Sequence, residues 1–422
     1  MTDTQTYVEA LSRITAPDWL AAQRSAALER FLRSGLPGTG EEAWKYTSLA
    51  RLERATLHPP AAGAGETVCP DVGAYPGHVL AFQNGQLACH GTWLASQVAG
   101  TLRHLGETPV TLEYLGRQAD SGVLASLNLA LWQDGARLYA PAGARLAVPV
   151  FAVYGADEAE AMLHPRTLAV LEADAEAVLV EHYLGQTGHA YWQNAVSEVH
   201  LGAGASLTHV RVVEEGAAAT HTGRTAVRLG RGSRYRALHV GLEGVLARHE
   251  LEIELDGAGA SARIDGLDLA DARRHADLRL RVTHRATDTA SRVAWRGIAD
   301  GRGRAVFDGH VVVERAAHRT DAQQSCKGLL LSPHAEVDAM PRLEIYADDV
   351  KCGHGASVGN LDAAALFYLR SRGIAADAAR RLLLRGFAGE ALGLLEETHL
   401  TDWLAPRLEA ALARGDAGEA RP

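Results

Sequence analysis

The chain has 422 residues, of which 47% are hydrophobic and 22% charged, as is typical of folded globular proteins. This length exceeds that of one typical domain, so two or three domains are expected. A net charge of −9 argues against nucleic acid as a partner, and the N-terminus has neither the basic segment nor the apolar run of a signal peptide.

Cysteine usage and hydropathy narrow the class of protein further. The four cysteines form no CxxC pair, which argues against a disulfide framework and against a closed zinc site. This usage predicts a reduced compartment. No run of about 18 apolar residues occurs, so no membrane span is expected. We therefore expect a cytoplasmic protein.

Residues 1–78 are predicted to form an N-terminal helical region. Apolar side chains recur on one side of the segment that begins at Asp18. Gly35 and Pro37 follow this segment, and a glycine followed by a proline is a common end of a helix. The region should therefore contain at least one amphipathic helix that packs on the rest of the chain.

Residues 79–134 are predicted to form a mixed connecting region. Two short apolar runs flank Asn84 and Gly85, and Asn-Gly between such runs is a strong hairpin signal. A helix is expected near residues 120–132. The region thus leads from helices into strands.

Residues 135–358 are predicted to be short strands that alternate with glycine-containing turns. Similar turns begin at Gly202, Gly230 and Gly257, which are 28 and 27 residues apart. Self-similarity at such a period indicates stacked repeats, as in a parallel β-helix. A twisted β-sandwich would also place turns at short, regular intervals, so the pattern alone leaves both folds open.

Residues 359–422 are predicted to form a C-terminal helical domain. Asp362 is a suitable N-cap for its first helix, and Gly373 a suitable C-terminal cap. The further helices are predicted over residues 378–385, which Gly386 would end, 390–399 and 402–414.

The chemistry of the chain is concentrated at residues 343–355, which read LEIYADDVKCGHG. Cys352 and His354 are two residues apart, so on an extended strand both side chains lie on one face. A thiolate and an imidazole together suit iron, zinc or copper(I). Two ligands do not complete a tetrahedral site, so the others would have to come from elsewhere. The alternative is a packed cysteine beside a histidine that bonds to the backbone.

This segment, together with TDAQQ at 320–324 and LFYLRSRGI at 366–374, resembles the SufB/SufD family. That family forms the scaffold of the bacterial SUF iron–sulfur assembly machinery. The motifs DDVKCxHG and FYLxSRGI resemble SufD members rather than SufB members. The resemblance favours the β-helix over the sandwich: it implies a mainly β fold, with a right-handed parallel β-helix core between N-terminal and C-terminal α-helical domains.

The resemblance also implies a function and its partners. It implies a SufD-like subunit that contributes to de novo cluster assembly and iron acquisition. A SufB-like paralogue would bind through the β-helix, and a SufC-like ABC ATPase through the C-terminal helices. A transient iron–sulfur cluster would be shared with SufB, with His354 as the first candidate ligand and Cys352 as the second. A homodimer is possible in isolation.

The ATPase-docking residues are expected in and after the FYLxSRGI helix, because aromatic and arginine side chains are common in interface hot spots. The candidates are Phe367, Tyr368, Arg370, Arg372, Gly373 and Phe387. The alternative is a packed helix with a solvated arginine face.

Other readings compete with the scaffold. The chain lacks a GxxxxGK[ST] phosphate loop, so we expect no ATP site of its own. The resemblance to a scaffold family implies that the chain is not an enzyme. The main alternative is a carbohydrate-active β-helix enzyme, for which Asp265, Asp268 and Asp271 are the best set of carboxylates. A third reading is a homomeric interaction module. Cys326 is expected to be a packed or exposed thiol rather than a ligand.

Overall fold

The computed structural model describes residues 4–14, 18–60, 74–90, 99–102, 109–116, 122–393 and 400–417. It is mainly β, with helices at both ends of the chain. The N-terminal and connecting helices are α1 (Thr4–Ser12), α2 (Asp18–Ser34), α3 (Ala50–Arg54), α4 (Pro109–Tyr114) and α5 (Val123–Leu131). The C-terminal helices are α6 (Ala363–Ser371), α7 (Ala376–Gly389) and α8 (Thr401–Ala417).

Twenty strands are assigned in the described residues. The first ten are β1 (His78–Gln83), β2 (Gln86–His90), β3 (Ala99–Thr101), β4 (Gly135–Ala140), β5 (Val150–Ala156), β6 (Met162–Leu163), β7 (Arg166–Leu171), β8 (Glu176–Gly185), β9 (Trp192–Leu201) and β10 (Ser206–Glu214). The others are β11 (Thr220–Leu229), β12 (Arg234–Gly241), β13 (Leu246–Leu255), β14 (Ser261–Ala270), β15 (His275–His284), β16 (Ala290–Ala299), β17 (Arg304–Val313), β18 (Thr320–Leu330), β19 (Glu336–Ile345) and β20 (Val350–Asn360).

These strands form two long sheets that face each other. One sheet has the order β2-β1-β5-β8-β10-β12-β14-β16-β18-β20, and the other β19-β17-β15-β13-β11-β9-β7-β4-β3, with β6 beside β9. From β8 onward, consecutive strands alternate between the sheets, and each pairs in parallel with the strand one coil earlier. This is a parallel β-helix, so the predicted fold class is confirmed.

The glycine turns lie where one coil stacks on the next. A side chain at Gly257 would place its Cβ 2.0 Å from the backbone nitrogen of Arg231, in the turn of the coil below. Gly259, two residues later, has a φ of +73°, which L side chains rarely adopt. The Gly-x-Gly turn therefore combines a close backbone approach with a left-handed conformation, and it does so in three successive coils, at Gly202, Gly230 and Gly257.

We expect Gly257→Ala to lower the free energy of unfolding by about 3 kcal/mol, because the Cβ would overlap backbone atoms that cannot rotate away. Urea unfolding followed by circular dichroism would measure this change. Gly38→Ala is the control, since no atom lies within 4 Å of its added Cβ. Equal transition midpoints for the two variants would show that the turns tolerate a side chain.

Several local predictions are confirmed. β1 and β2 form an antiparallel hairpin in which Gln83 pairs with Gln86 across the Asn-Gly turn. α2 is present and Gly35 follows it with a φ of +71°. The helix expected near residues 120–132 is α5.

Two predictions about the C-terminal helices are wrong in detail. Gly386 does not end its helix, and α7 continues to Gly389. The low helix propensity of a single glycine lowers stability only a little, and the packing of α7 holds the helix in place. The α-helix predicted over 390–399 is not formed in its described part, where residues 390 and 391 lie in a turn and 393 has 3-10 conformation. The rest of that segment lies outside the described residues.

The helices cover different parts of the β-helix. Apolar residues of α1, α2 and α5 form one cluster with Met162, Leu168 and Trp192 of the first coils. Apolar residues of α7 and α8 pack against the outer face of the sheet that contains β8, β10, β12, β14, β16 and β18. By contrast, α6 buries none of its residues. The N-terminal end is therefore covered by helices, whereas α6 stands clear of the core.

Ion pairs fasten α7 and α8 to this sheet. Arg407 Nε lies 3.3 Å from Glu214 Oε2, and Arg380 Nη2 lies 2.8 Å from Asp300 Oδ2. Trp403 of α8 packs its ring against His182, with the ring centroids 5.2 Å apart. These contacts join both helices to the coils as one packed unit.

Candidate functional site

The last coil of the β-helix leaves two strands at the sheet edges. β19 ends one sheet and β20 the other, and no strand among the described residues pairs with their outer sides. Most of their residues are exposed or half-buried, unlike those of the strands before them. An unpaired edge offers a row of backbone donors and acceptors to another chain.

The edge of β19 is poorly suited to accept another strand. Pro341 lies in the middle of β19 and has no N–H to donate. Charged side chains of the strand are engaged with β17: Arg342 Nη2 lies 2.6 Å from Asp308 Oδ1, and His310 Nε2 lies 3.0 Å from Glu344 Oε1. Proline and charge are both features that protect sheet edges from pairing.

The edge of β20 is open in these respects. Its sequence, VKCGHGASVGN, contains no proline and no acidic residue, and Lys351 is its only lysine. Gly353, Gly355 and Ala356 keep the side chains short, so another backbone could approach closely. Of the two edges, that of β20 is the better template for a partner strand.

Cys352 lies in β20 directly beside Ala322 of β18. Its side chain is half-buried and packs against the apolar cluster between the sheets. Burial raises the pKa of the Cys352 thiol, so the thiol is protonated at neutral pH and would have to lose its proton to bind a metal. The geometry is compatible with packing and, at the open end, with ligation.

His354 lies two residues further along β20, beside Gln324 of β18. Alternation along the strand places its side chain on the same face as Cys352. The residue is exposed at the end of the β-helix, not buried in the apolar interior. A neighbouring chain docked on this end could therefore reach the imidazole.

The described residues supply no complete metal site. No group of three or more His, Cys, Asp or Glu side chains among them is arranged to hold a metal ion. Cys352 and His354 together would leave a tetrahedral iron with open positions. The pair thus requires ligands from outside the described part of this chain.

The docking candidates lie on α6, in the turn after it and on α7. Phe367 and Tyr368 expose 73% and 57% of their surface, which is unusual for aromatic side chains. Arg370, Arg372 and Gly373 are exposed as well. Phe387 differs, because it is half-buried on α7 and packs against this chain's own apolar cluster.

Other exposed apolar side chains were not singled out from the sequence. Ile345 and Tyr346 lie at the end of β19, Val358 lies in β20 and Leu382 lies in α7. Their residue types are ordinary for strands and helices, so no sequence signal marks them. Only the pairing of the strands reveals that β19 and β20 are edges.

The carboxylates of the enzyme hypothesis do not form a catalytic set. Asp265 and Asp268 are three residues apart on β14, so they lie on opposite faces. Asp265 Oδ2 accepts a hydrogen bond from Arg263 at 3.0 Å, and Asp268 Oδ2 accepts one from the Trp295 indole at 2.7 Å. Asp271 pairs with Arg274 at 2.9 Å in a turn. Each carboxylate therefore has its own structural partner.

A buried polar cluster lies between the sheets in the middle coils. Arg211 Nη1 lies 3.2 Å from Glu181 Oε2, and both side chains are almost fully buried. Burial lowers the pKa of His221 and of His249 well below the usual range, so both imidazoles are neutral. The cluster has no access to solvent and therefore serves the interior of the β-helix.

Two cysteines outside β20, Cys89 and Cys326, lie in the described part of the chain. Cys326 is a free, buried thiol beside Trp295, and burial raises its pKa to about 12. It therefore stays protonated, as expected for a packed thiol. Cys89 is disulfide-bonded, which differs from the prediction that the cysteines indicate a reduced compartment, and Cys69 lies outside the described residues.

Comparisons with known proteins bear on this end of the β-helix. The sequence model of the SUF system FeS cluster assembly SufBD core domain matches residues 153–387, a range that includes β20 and α6. An iron–sulfur cluster assembly SufBD family protein of Synechocystis is 35% identical over 294 residues, which cover 66% of this chain and 64% of that protein.

Two of the similar proteins are SufD proteins. The iron–sulfur cluster assembly protein SufD of Escherichia coli is 29% identical over 400 residues, 93% of each chain. That of Bacillus subtilis is 30% identical over 276 residues, 64% of this chain and 63% of that one. In the described residues, no helix is both long enough and apolar enough to span a membrane.

Proposed function

Because the chain belongs to the SufB/SufD family of the SUF iron–sulfur cluster assembly system, we propose that it is a SufD-like scaffold subunit and not an enzyme. Its task is to contribute to de novo cluster assembly and iron acquisition. The observation that carries this proposal is the exposed His354 on an open sheet edge, at the uncovered end of the β-helix.

A SufB-like paralogue docks on the open end. The edge of β20 lacks the proline and the engaged charges of β19, so the partner adds a strand beside β20. Val358 contributes an exposed apolar side chain to the contact. In isolation, the same edge pairs two copies of this chain, which gives a homodimer.

The nascent iron–sulfur cluster is the cargo of this interface. His354, and Cys352 once deprotonated, supply part of its ligands, and the SufB-like partner supplies the rest. A site with fewer thiolates than a permanent Cys₄ site, split between two chains, changes its ligand number when the interface opens. Such a site holds a cluster during assembly and lets it leave. We place cluster assembly in the cytoplasm, a reducing compartment in which free thiols such as Cys352 persist. The disulfide at Cys89 does not follow from this placement.

A SufC-like ABC ATPase docks on the C-terminal helices, since this chain has no phosphate loop of its own. The contact surface is formed by α6 and the following turn, where Phe367, Tyr368, Arg370, Arg372 and Gly373 are exposed. Phe387 supports this surface from the core side. Because α7 and α8 are packed on the coils, movement of the ATPase is passed to the β-helix as a whole.

Co-expression with a SufB-like paralogue and a SufC-like ATPase tests the proposal. We expect the three proteins to co-purify and to elute together in size-exclusion chromatography, whereas this chain alone elutes as a homodimer. Elution of this chain apart from both partners would contradict the scaffold role. It would leave the homomeric interaction module as the better reading.

A further inference from the structure

Gln324 is the side chain placed next to His354 by the sheet. It lies in β18 and is the direct cross-strand neighbour of His354 in β20. Both residues point to the inner face, because Gln324 stands between Ala322 and Cys326, which belong to the apolar interior. Neighbours on one face of a sheet have Cβ atoms about 5 Å apart, within reach of a long side chain.

The carboxamide of Gln324 is fixed at one atom and unpaired at the other. Nε2 donates a hydrogen bond to the backbone carbonyl of Arg342 in β19, at 3.1 Å. The residue is 4% exposed, and its Oε1 has no hydrogen-bond partner among the described residues. Gly309 makes room for this atom, since a Cβ there would lie 2.5 Å from Oε1. A buried acceptor without a hydrogen bond is unfavourable, so a donor that reached Oε1 would stabilise it.

His354 can supply the hydrogen-bond donor that Gln324 Oε1 lacks. Its ring makes no hydrogen bond or ion pair with the described part of the chain. A neutral imidazole that binds a metal through one nitrogen carries a proton on the other, and this N–H usually donates to a nearby acceptor. The direct cross-strand neighbour of His354 offers such an acceptor, the unpaired Oε1 of Gln324.

We propose that Gln324 is the positioning residue of His354: its Oε1 accepts the ring N–H and thereby fixes which nitrogen faces the partner subunit. The ligand role of His354 rests on the proposed function. The hydrogen bond needs only groups of this chain: both are unpaired among the described residues, and a rotation of the His354 side chain toward Oε1 joins them. Once formed, the bond holds the ring in one tautomer and one orientation before any partner or cluster arrives.

The tautomer of His354 can be read by NMR of the full-length chain labelled with ¹⁵N-histidine at pH 8, where an ordinary imidazole is neutral. The His354 signals are assigned from their loss in His354→Gln. We expect one dominant tautomer in the unsubstituted chain and a mixture in Gln324→Met. Gln323→Met is the matched control, because Gln323 is exposed on the opposite face of β18.

Gln324→Glu separates positioning from a merely structural role. A carboxylate still accepts the ring N–H, so we expect Gln324→Glu to keep the single tautomer. If Gln324 only filled space, a buried negative charge in its place would not preserve that tautomer. Equal tautomer populations in Gln324→Met and the unsubstituted chain would overturn the proposal. So would a mixture in Gln324→Glu.

The cluster provides a second measurement. In the complex with the SufB-like paralogue, we expect Gln324→Met to lower bound iron and sulfide at least 10-fold, and Gln324→Glu to retain them. If His354→Ala leaves cluster assembly unchanged, the ligand role fails while the NMR result still decides on the hydrogen bond. The two claims are therefore tested separately.

Discussion

His354→Ala should abolish iron–sulfur cluster assembly while the subunit complex remains intact. The side chain is exposed at the end of β20, so its removal leaves no cavity in the core and does not disturb the pairing of β18 with β20. What is lost is an imidazole that no other described residue replaces. After anaerobic reconstitution of the complex, we expect iron and sulfide per complex to fall more than 10-fold.

His334→Ala is the matched control for this prediction. His334 is also exposed and lies in the turn between β18 and β19, close in sequence but outside β20. It should assemble clusters at the level of the unsubstituted complex. Full assembly by His354→Ala would remove this imidazole from the site.

Cys352→Ser then separates the two readings of the thiol. A loss of bound iron and sulfide equal to that of His354→Ala identifies a ligand, and a small loss identifies a packed residue.

Val358→Lys should weaken the association with the SufB-like paralogue about 100-fold, which corresponds to about 2.7 kcal/mol. Val358 is a 44% exposed apolar residue on the open edge of β20. A lysine there replaces apolar contact by a charge that must be desolvated, and lysine on an edge strand is a common protection against pairing. Isothermal titration calorimetry of the two subunits would measure the change in Kd.

Val148→Lys controls for the loss of an exposed valine. Val148 is 43% exposed, two residues before the start of β5 and far from β20 along the sheet order. It should bind the partner as the unsubstituted chain does. Both variants should melt at the same temperature, because neither side chain is buried. Unchanged affinity of Val358→Lys would place the partner on another surface.

Much of the fold could be predicted because its causes are local in sequence. The Gly-x-Gly turns recur in three successive coils, and each combines a close backbone approach with a positive φ, as at Gly257 and Gly259. The Asn-Gly hairpin and the end of α2 at Gly35 likewise follow from a few neighbouring residues. The SufB/SufD resemblance then resolved the choice between β-helix and sandwich, which periodicity had left open.

Some local signals were overridden by packing. Gly386 predicts a helix end, yet α7 passes through it, because the apolar side of α7 is held against the sheet. Phe387 matches the docking motif by type, but the same packing leaves it half-buried. Propensities of single residues are small compared with the burial of a whole helix face.

The sequence by itself determined the coil repeat, the helical ends and the chemistry of Cys352 and His354. Only the tertiary structure decided that β20 is an open edge, that Pro341 and paired charges protect β19, and that Gln324 stands beside His354. The physical reason is that a strand's neighbours lie about 30 residues away along the chain, so which strand is last and which side chains meet across it depend on the register of the stacked coils.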